Sequence, residues 1–260
     1  MAPHDHDHGH GMGDHLHIHR HTVVHDLPAQ TKLVALLTFV IVVVATPAAS
    51  WWAFVAYAGL IIGVMLYAQL PLKTMAKRMV VETPFIVFAV LMPFVGTGPR
   101  TEFLGLEVSE LGLITGATLI AKSTLGVMAS LCLSATTPAR EILRGLEALK
   151  VPALLIHIAT FMLRYSAVVL DELRRMKVAR ESRGFSAKGP GEWRIIAQTA
   201  GALFIRSYER GERVHLAMLS RGFAGEMPQL HRHTVTARAW ATSQILPLAA
   251  LVVLIIRSLT

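Results

Sequence analysis

The sequence is poor in the motifs that enzymes use for catalysis. It has no Gly-x-x-x-x-Gly-Lys-Ser/Thr loop, so we expect that the chain alone does not hydrolyse ATP. It also has no His-Glu-x-x-His zinc motif and no nucleophile elbow around a serine. Its one cysteine, Cys132, excludes an internal disulfide and is predicted to be a small core residue within a hydrophobic run. We therefore predict a non-catalytic chain.

Charged residues are scarce as well. Only 16% of the chain is charged, 53% is hydrophobic, and the mean hydropathy is +0.50. This composition is too apolar for a soluble domain, and several hydrophobic segments approach the length needed to cross a bilayer. It predicts an all-α, polytopic membrane protein with about five transmembrane helices, accompanied by two long helices that leave the membrane.

The predicted spans are residues 33–46, 51–70, 84–95, 111–134 and 240–256. Lys73, Lys77 and Arg78 follow the second span and indicate a cytoplasmic loop, whereas the acidic loop 96–110 is expected outside. A signal peptide ending near Ala48 is the competing interpretation of the first span. Its leading region would be unusually long and acidic for a signal peptide.

Basic residues are concentrated in one part of the chain. Seventeen of the 25 lysines and arginines lie between Ser134 and Trp240, which predicts a cytoplasmic face. We expect no nucleic acid partner, because these arginines alternate with apolar helical positions and lack the aromatic platforms on which bases stack. Charged residues at 206–213 are expected to form helix-spaced ion pairs.

Lys122 lies within a predicted span. We interpret it either as a functional charge or as a lysine that snorkels or bonds to backbone carbonyls.

One seven-residue pattern occurs twice in this basic region. It is Ala-Arg-Glu-Ser-Arg-Gly-Phe at 179–185 and Ala-Met-Leu-Ser-Arg-Gly-Phe at 217–223, an offset of 38 residues. Each copy ends a predicted long helix, 152–183 or 193–221, and both helices are expected to run from the membrane boundary into the cytoplasm. One copy is explained by a helix stop, with glycine in the left-handed C′ position and arginine against the helix dipole. Two copies indicate two equivalent docking points.

The first 26 residues are rich in histidine. They hold nine of the 13 histidines: His4, His6, His8, His10, His15, His17, His19, His21 and His25. Apolar residues are too sparse there to form a core, so we predict a mobile tail. Imidazole suits nickel, cobalt, copper and zinc, although nothing in the tail sets a fixed metal geometry, and weak chelation is the expectation. A purification tag is the alternative, but tags are usually unbroken runs of histidine.

Together these features resemble the transmembrane (T) component of energy-coupling factor (ECF) transporters, in its CbiQ-like cobalt and nickel branch. The resemblance extends over most of the chain outside the histidine tail. Besides the repeated motif, it includes Asp-Leu-Pro-Ala-Gln-Thr-Lys at 26–32 and Thr-Thr-Pro at 136–138. The tail favours the metal branch, whereas vitamin transporters share the same T-component motifs.

The resemblance implies a coupling subunit of an importer. Such a subunit transmits the ATP-driven motion of two ATPase subunits to a substrate-binding, CbiM-like S component. Cobalt for cobalamin biosynthesis is the implied substrate, with nickel or a vitamin as the alternative, and ATP and magnesium would bind to the ATPases, so no cofactor is expected in this chain. The implied docking residues are Ser182, Arg183, Gly184, Ser220, Arg221 and Gly222. Arg180 and Glu181 stand where the second copy has Met218 and Leu219, so the two sites need not be equal in energy.

We predict four parts of the chain. They are a histidine tail at 1–26, four spans at 27–134, a cytoplasmic coupling region at 135–239 and the last span at 240–260. The protein is expected in the bacterial inner membrane, with the N-terminus and the coupling region in the cytoplasm. A rival hypothesis is a membrane enzyme whose cytosolic arginines bind a phosphorylated or lipid substrate. Such an enzyme should have a cluster of carboxylates for metal or acid–base chemistry in that region. The sequence suggests no such cluster, so it does not support this hypothesis.

Overall fold

The computed structural model describes residues 22–48, 50–96, 100–103, 106–185, 193–225 and 235–259. The helices within these ranges are α1 Val23–Asp26, α2 Ala29–Ala45, α3 Trp51–Tyr67, α4 Leu72–Arg78, α5 Thr83–Val95, α6 Glu110–Thr136, α7 Ala139–Ala148, α8 Ala153–Glu181, α9 Trp193–Leu219 and α10 Ala237–Leu259. A 3-10 turn, Met79–Glu82, joins α4 to α5. The prediction of an all-α, multi-pass membrane fold is confirmed.

The chain divides into two compact units. The bundle unit contains α1 to α7 and α10, and the paired-helix unit contains α8 and α9. Helix α7 falls in the bundle unit, although the sequence placed it in the coupling region. The reason lies at Gly145, where an added Cβ would be 2.9 Å from the backbone nitrogen of Gln30. The missing side chain lets α7 pack directly against the start of α2.

Apolar helices match the predicted spans. Within the described residues, the helical stretches long and apolar enough to cross a membrane are Lys73–Val95, Glu110–Thr136, Ala153–Glu181 and Ala237–Leu259. Helices α2 and α3 have 17 residues each, or about 26 Å at 1.5 Å per residue, a little less than the hydrocarbon thickness. Helix α8 qualifies through its apolar first half, which the sequence assigned to the membrane boundary. Each of the five predicted spans coincides with one of these helices or with α2 or α3.

The segment after the second span is helical, where the sequence indicated a loop. Lys73, Lys77 and Arg78 lie on α4, which continues through the 3-10 turn into α5. This continuation gives the third span the length that residues 84–95 lacked.

The acidic connection before α6 contains a small hairpin. Strands β1 Arg100–Phe103 and β2 Leu106–Ser109 pair antiparallel. The hydroxyl of Ser109 then accepts a hydrogen bond from the backbone N–H of Gly112 at 3.3 Å, which caps the start of α6. The sequence predicted only a loop here, since short strands of mixed polarity carry little signal.

The core of the bundle unit forms where α2, α3, α6 and α10 meet. Phe39 and Tyr57 are fully buried, with ring centroids 6.2 Å apart and an edge-to-face geometry. The Tyr57 hydroxyl lies 3.1 Å from the hydroxyl of Thr46, so its polar end is satisfied inside the bundle. Cys132 belongs to the same buried cluster, which confirms its prediction as a core residue.

Helices α5 and α6 approach closely through two glycines. A Cβ added to Gly112 would lie 2.6 Å from the carbonyl oxygen of Met92, and one added to Gly116 would lie 2.6 Å from that of Ala89. Glycines four residues apart on one helix face let two membrane helices come into backbone contact. This spacing is visible in the sequence, although the prediction of the fourth span did not depend on it.

Candidate functional site

The two helices of the paired-helix unit carry the repeated motif at their C-terminal ends. After α8, the N–H of Gly184 donates to the carbonyl of Glu181 at 3.0 Å, and the N–H of Phe185 donates to that of Arg180 at 3.2 Å. Gly184 has a φ of 79°, in the left-handed region that favours glycine. These two bonds define a Schellman motif, which ends a helix and satisfies its last carbonyls.

The end of α9 repeats this geometry. The N–H of Gly222 donates to the carbonyl of Leu219 at 3.0 Å, and that of Phe223 donates to Met218 at 3.0 Å. The φ of Gly222 is 81°. The sequence repeat is therefore also a repeat of backbone structure, and the helix-stop interpretation of each glycine agrees with it.

The two serines of the motif form hydrogen bonds within the last turns of α8 and α9. The Ser182 hydroxyl donates to the carbonyl of Ala179 at 3.0 Å, and the Ser220 hydroxyl donates to that of Ala217 at 2.9 Å. Both hydroxyls are thus satisfied within their own helix. This explains the small polar residue before each arginine by local structure.

The two arginines differ from the serines in that their side chains make no hydrogen bond or ion pair with other described residues. Arg183 and Arg221 are both exposed. The salt bridges found in the described part of this unit use other side chains. We call Arg183 with Gly184, and Arg221 with Gly222, the two arginine tips. Each presents a guanidinium fork in solvent, suited to a carboxylate or phosphate.

An ion-pair cluster joins α8 to α9. One carboxylate oxygen of Glu172 lies 2.8 Å from Nη1 of Arg206, and the other lies 3.1 Å from Nη2 of Arg210. The Glu172 side chain is only 17% exposed. Of the ion pairs expected within 206–213, Arg213 with Glu209 at 3.9 Å is present, whereas Arg206 and Arg210 instead contact α8.

The two helices run antiparallel. Glu172 on α8 contacts Arg206 and Arg210, while His157, earlier on α8, lies against Phe223, which follows α9, with ring centroids 6.4 Å apart. The expectation that both helices run in the same direction away from the membrane boundary is therefore wrong. Periodicity identifies a helix face but contains no information on the direction of a partner helix.

The lysine in the fourth predicted span bonds to backbone. Lys122 Nζ donates to the carbonyl oxygen of Val44 at 2.7 Å. Val44 is in the last turn of α2, where carbonyls have no partner within the helix. Of the two alternatives for Lys122, this hydrogen bond agrees with a lysine that bonds to a backbone carbonyl.

A second charged residue within the bundle was missed by sequence reasoning. Glu82 is 3% exposed, and its carboxylate accepts a hydrogen bond from Ser123 at 2.8 Å and another from Thr124. Both hydroxyls lie on α6, so Glu82 ties the α4–α5 junction to that helix. The only signal in the sequence was an acidic residue at the edge of a hydrophobic run.

Lys32 joins the two shorter segments that contribute to the family resemblance. Its ammonium donates to the carbonyl of His25 at 3.0 Å, to that of Thr136 at 3.2 Å and to the hydroxyl of Thr137 at 3.1 Å. An ammonium has three protons, so the buried charge is fully satisfied. The segments 26–32 and 136–138 therefore meet at one buried site.

The predicted metal-chelating histidines, His4 to His21, lie outside the described residues. At the end of the predicted tail, Val23–Asp26 forms the short helix α1, and the Nδ1 of His25 lies 2.8 Å from the Thr22 hydroxyl. No group of three or more metal-binding side chains is found in the part of the chain that the structure describes.

Comparisons with known proteins give a matching family and several relatives. The family model described as CbiQ, cobalt transport protein, matches residues 20–231. The cobalt transport protein CbiQ of Rhodobacter capsulatus is 28% identical over 160 residues, which cover 62% of this chain and 64% of that protein. The energy-coupling factor transporter transmembrane protein EcfT of Listeria innocua is 24% identical over 216 residues, which cover 77% of this chain and 80% of that protein.

A third relative is larger than this chain. It is named as a fused cobalt transport protein, CbiMQ, of Methanocorpusculum labreanum, and is 26% identical over 235 residues, which cover 83% of this chain and 38% of that protein. For several curated relatives, the matched part of the chain spans only 47% to 64% of their own length.

Proposed function

This chain belongs to the CbiQ cobalt transport protein family, and from that premise we propose that it is the membrane-embedded coupling subunit of an ECF-type importer. In this role the chain hydrolyses no ATP itself. It transmits the motion of two ATPase subunits to a substrate-binding S component. The paired-helix unit faces the cytoplasm, where the ATPases are.

The observation that carries this proposal is the pair of arginine tips. Two helix ends with the same hydrogen bonds present the same exposed guanidinium, at Arg183 and at Arg221. A duplicated surface suits a duplicated partner, so we assign one ATPase subunit to each tip. An arginine fork at a sharp helix end can enter a groove and bind a carboxylate in two places.

The proposed substrate is a divalent metal, with cobalt favoured over nickel. The family description and the name of the Rhodobacter capsulatus relative both refer to cobalt transport. The relative named as a fused CbiMQ protein supports a CbiM-like S component as the membrane partner. The histidine-rich segment of this chain then raises the local metal concentration without forming the transport site.

The coupling role is tested by measuring ATP hydrolysis in nanodiscs. The purified chain alone is expected to show no ATPase activity, and activity should appear when the ATPase subunits of the importer from the same genome are added. Arg183→Ala and Arg221→Ala should reduce this activity, and Arg174→Ala is their matched control, because the Arg174 side chain is 79% exposed and pairs along its own helix with Asp171. Robust ATP hydrolysis by the purified chain would contradict the proposal and favour a membrane enzyme.

The substrate is tested by uptake of radioactive cobalt and nickel into proteoliposomes that contain the assembled complex. We expect ATP-dependent cobalt uptake. Deleting residues 2–21, which keeps α1 and the His25 carbonyl that Lys32 binds, should leave assembly intact and lower uptake mainly when the metal is limiting. Complete loss of uptake at saturating metal in an assembled complex would show that the histidine segment belongs to the transport site.

A further inference from the structure

The contact between α8 and α9 lies at the same position in both copies of the repeat. Glu172 and Arg210 are 38 residues apart, which is also the offset between Arg183 and Arg221. Glu172 and Arg210 therefore each lie 11 residues before the arginine of their own motif. At 1.5 Å per helical residue, each arginine tip is about 16 Å beyond the contact.

Because the helices are antiparallel, the two tips lie at opposite ends of the pair. Glu172 and Arg210 mark its middle, and the tips are separated along the helices by about 33 Å. Sliding one helix past the other by one turn would change this separation by about 5 Å. The separation of the tips therefore depends on the register between α8 and α9.

Glu172 is arranged to hold that register. Its two carboxylate oxygens bind different arginines, Arg206 at 2.8 Å and Arg210 at 3.1 Å. These arginines are one turn apart on the same face of α9, so a slip of one turn would leave one of them without its carboxylate oxygen. The carboxylate is mostly shielded from solvent, so its ion pairs are stronger than fully exposed ones.

We propose that Glu172 is the positioning residue that locks the register of α8 against α9 and so fixes the span between the two docking arginines. What the tips bind rests on the proposed function above. A chain that holds two ATPase subunits at once is a bivalent ligand, and its avidity depends on how well the span matches its two receptors. A defined span also transmits the motion of one ATPase subunit to the other end of the pair.

The register is measured directly by the distance between two spin labels. Val178→Cys and Leu216→Cys occupy equivalent positions in the repeat and are 64% and 58% exposed in the native chain. In a Cys132→Ala background, the labelled chain in nanodiscs should give one narrow distance distribution. Glu172→Gln should broaden or shift it.

Asp171→Asn is the matched control, because Asp171 is the neighbouring carboxylate and pairs at 3.6 Å with Arg174 of its own helix. It should leave the distribution unchanged. An unaltered, narrow distribution in Glu172→Gln would overturn the proposal. So would an effect in Asp171→Asn as large as that in Glu172→Gln.

A second measurement separates positioning from a local structural role. Glu172→Gln should weaken binding of the ATPase pair about tenfold in the intact chain, because bivalent avidity depends on the span. In an Arg221→Ala chain only one tip remains, and Glu172→Gln should then cause no further loss. An equal loss in both backgrounds would contradict the proposal. If the label distances respond as expected but neither arginine affects ATPase binding, the register lock stands and the docking function has failed.

Discussion

In the first copy of the repeated motif Phe185 is 50% exposed, whereas in the second copy Phe223 lies against the ring of His157. The backbone bonds of the two copies are otherwise the same, and both arginines are exposed. The shared features are those that end a helix and present a guanidinium. The differing feature is the phenylalanine, which, among the described residues, contacts another ring of the paired-helix unit only in the second copy.

This comparison separates two roles within seven residues. Serine, glycine and the backbone act locally, since their bonds stay within the helix that they end. The arginine side chain is exposed in both copies, and we propose that it binds a partner. The second tip is further anchored by its phenylalanine, so we expect the second tip to be the more rigid of the two. The following predictions test this division, from the largest expected effect to the smallest.

The largest effect is expected from the arginines. Truncating one member of a buried charge pair costs about 2–5 kcal/mol, so Arg183→Ala or Arg221→Ala should each weaken ATPase binding by about 30-fold or more, and the double variant should abolish cobalt uptake. Arg194 is also exposed in the paired-helix unit, and Arg194→Ala should leave ATPase binding and cobalt uptake near the wild-type level. Normal binding and uptake in both single variants would reduce the repeated motif to a pair of helix caps.

A smaller effect is expected from the glycines, and it should be equal in the two copies. Gly184 and Gly222 have φ values of 79° and 81°, where a side chain costs about 1–2 kcal/mol. Gly184→Ala and Gly222→Ala should each lower the free energy of unfolding by this amount, measured by thermal denaturation. Gly201→Ala is the control, because Gly201 lies within α9 with nothing within 4 Å of an added Cβ. It should raise stability by up to about 1 kcal/mol. Stabilisation by all three changes would show that the helix ends are not constrained.

Substituting the two phenylalanines should affect the two helix ends unequally. An edge-to-face ring pair contributes about 0.5–1.5 kcal/mol, so Phe223→Ala should increase amide hydrogen exchange at the end of α9. Phe185→Ala removes a half-exposed ring and should change exchange at the end of α8 much less. His157→Ala should reproduce the effect of Phe223→Ala. Equal responses from Phe185→Ala and Phe223→Ala would remove the distinction between the tips.

The smallest effect is expected from the serines. Each hydroxyl bonds only to a carbonyl in its own last turn, at 3.0 Å for Ser182 and 2.9 Å for Ser220. Ser182→Ala and Ser220→Ala should change stability by less than about 0.5 kcal/mol. ATPase binding, measured with the purified subunits, should not change. A loss comparable to that of the arginine variants would place the serines in the docking surface.

Much of the fold followed from hydrophobic runs and stop signals. The spans were readable because a bilayer demands long apolar helices, and the ends of α8 and α9 because Gly184 and Gly222 are the residues that tolerate a left-handed turn. The candidate docking residues were predicted because the motif occurs twice, and their role stays a prediction. Two hypotheses remain predictions: the arginine tips dock on ATPases, and the histidines of the tail chelate metal.

What sequence reasoning missed depends on contacts between distant segments. The antiparallel pairing of α8 with α9 brings Glu172 to Arg206 and Arg210, 34 and 38 residues away in the sequence, and periodicity does not reveal such a contact. The burial of Glu82 depends equally on hydroxyls from α6. One signal was available: Glu172 and Arg210 are separated by the same 38 residues as the motif itself, so opposite charges at equivalent positions could have indicated their contact.

Docking of one ATPase subunit on each arginine tip is tested most directly by photo-cross-linking in the assembled importer. A photoreactive amino acid is placed at Glu181 and Leu219, which are equivalent in the repeat and are 50% and 48% exposed, and at Tyr208 in the middle of α9 as the control. Each tip position should cross-link one ATPase subunit, and a chain labelled at both should carry two ATPase subunits at once, whereas Tyr208 should capture none. A doubly labelled chain that never carries more than one ATPase subunit, or that captures none, would contradict the assignment of one ATPase to each arginine tip.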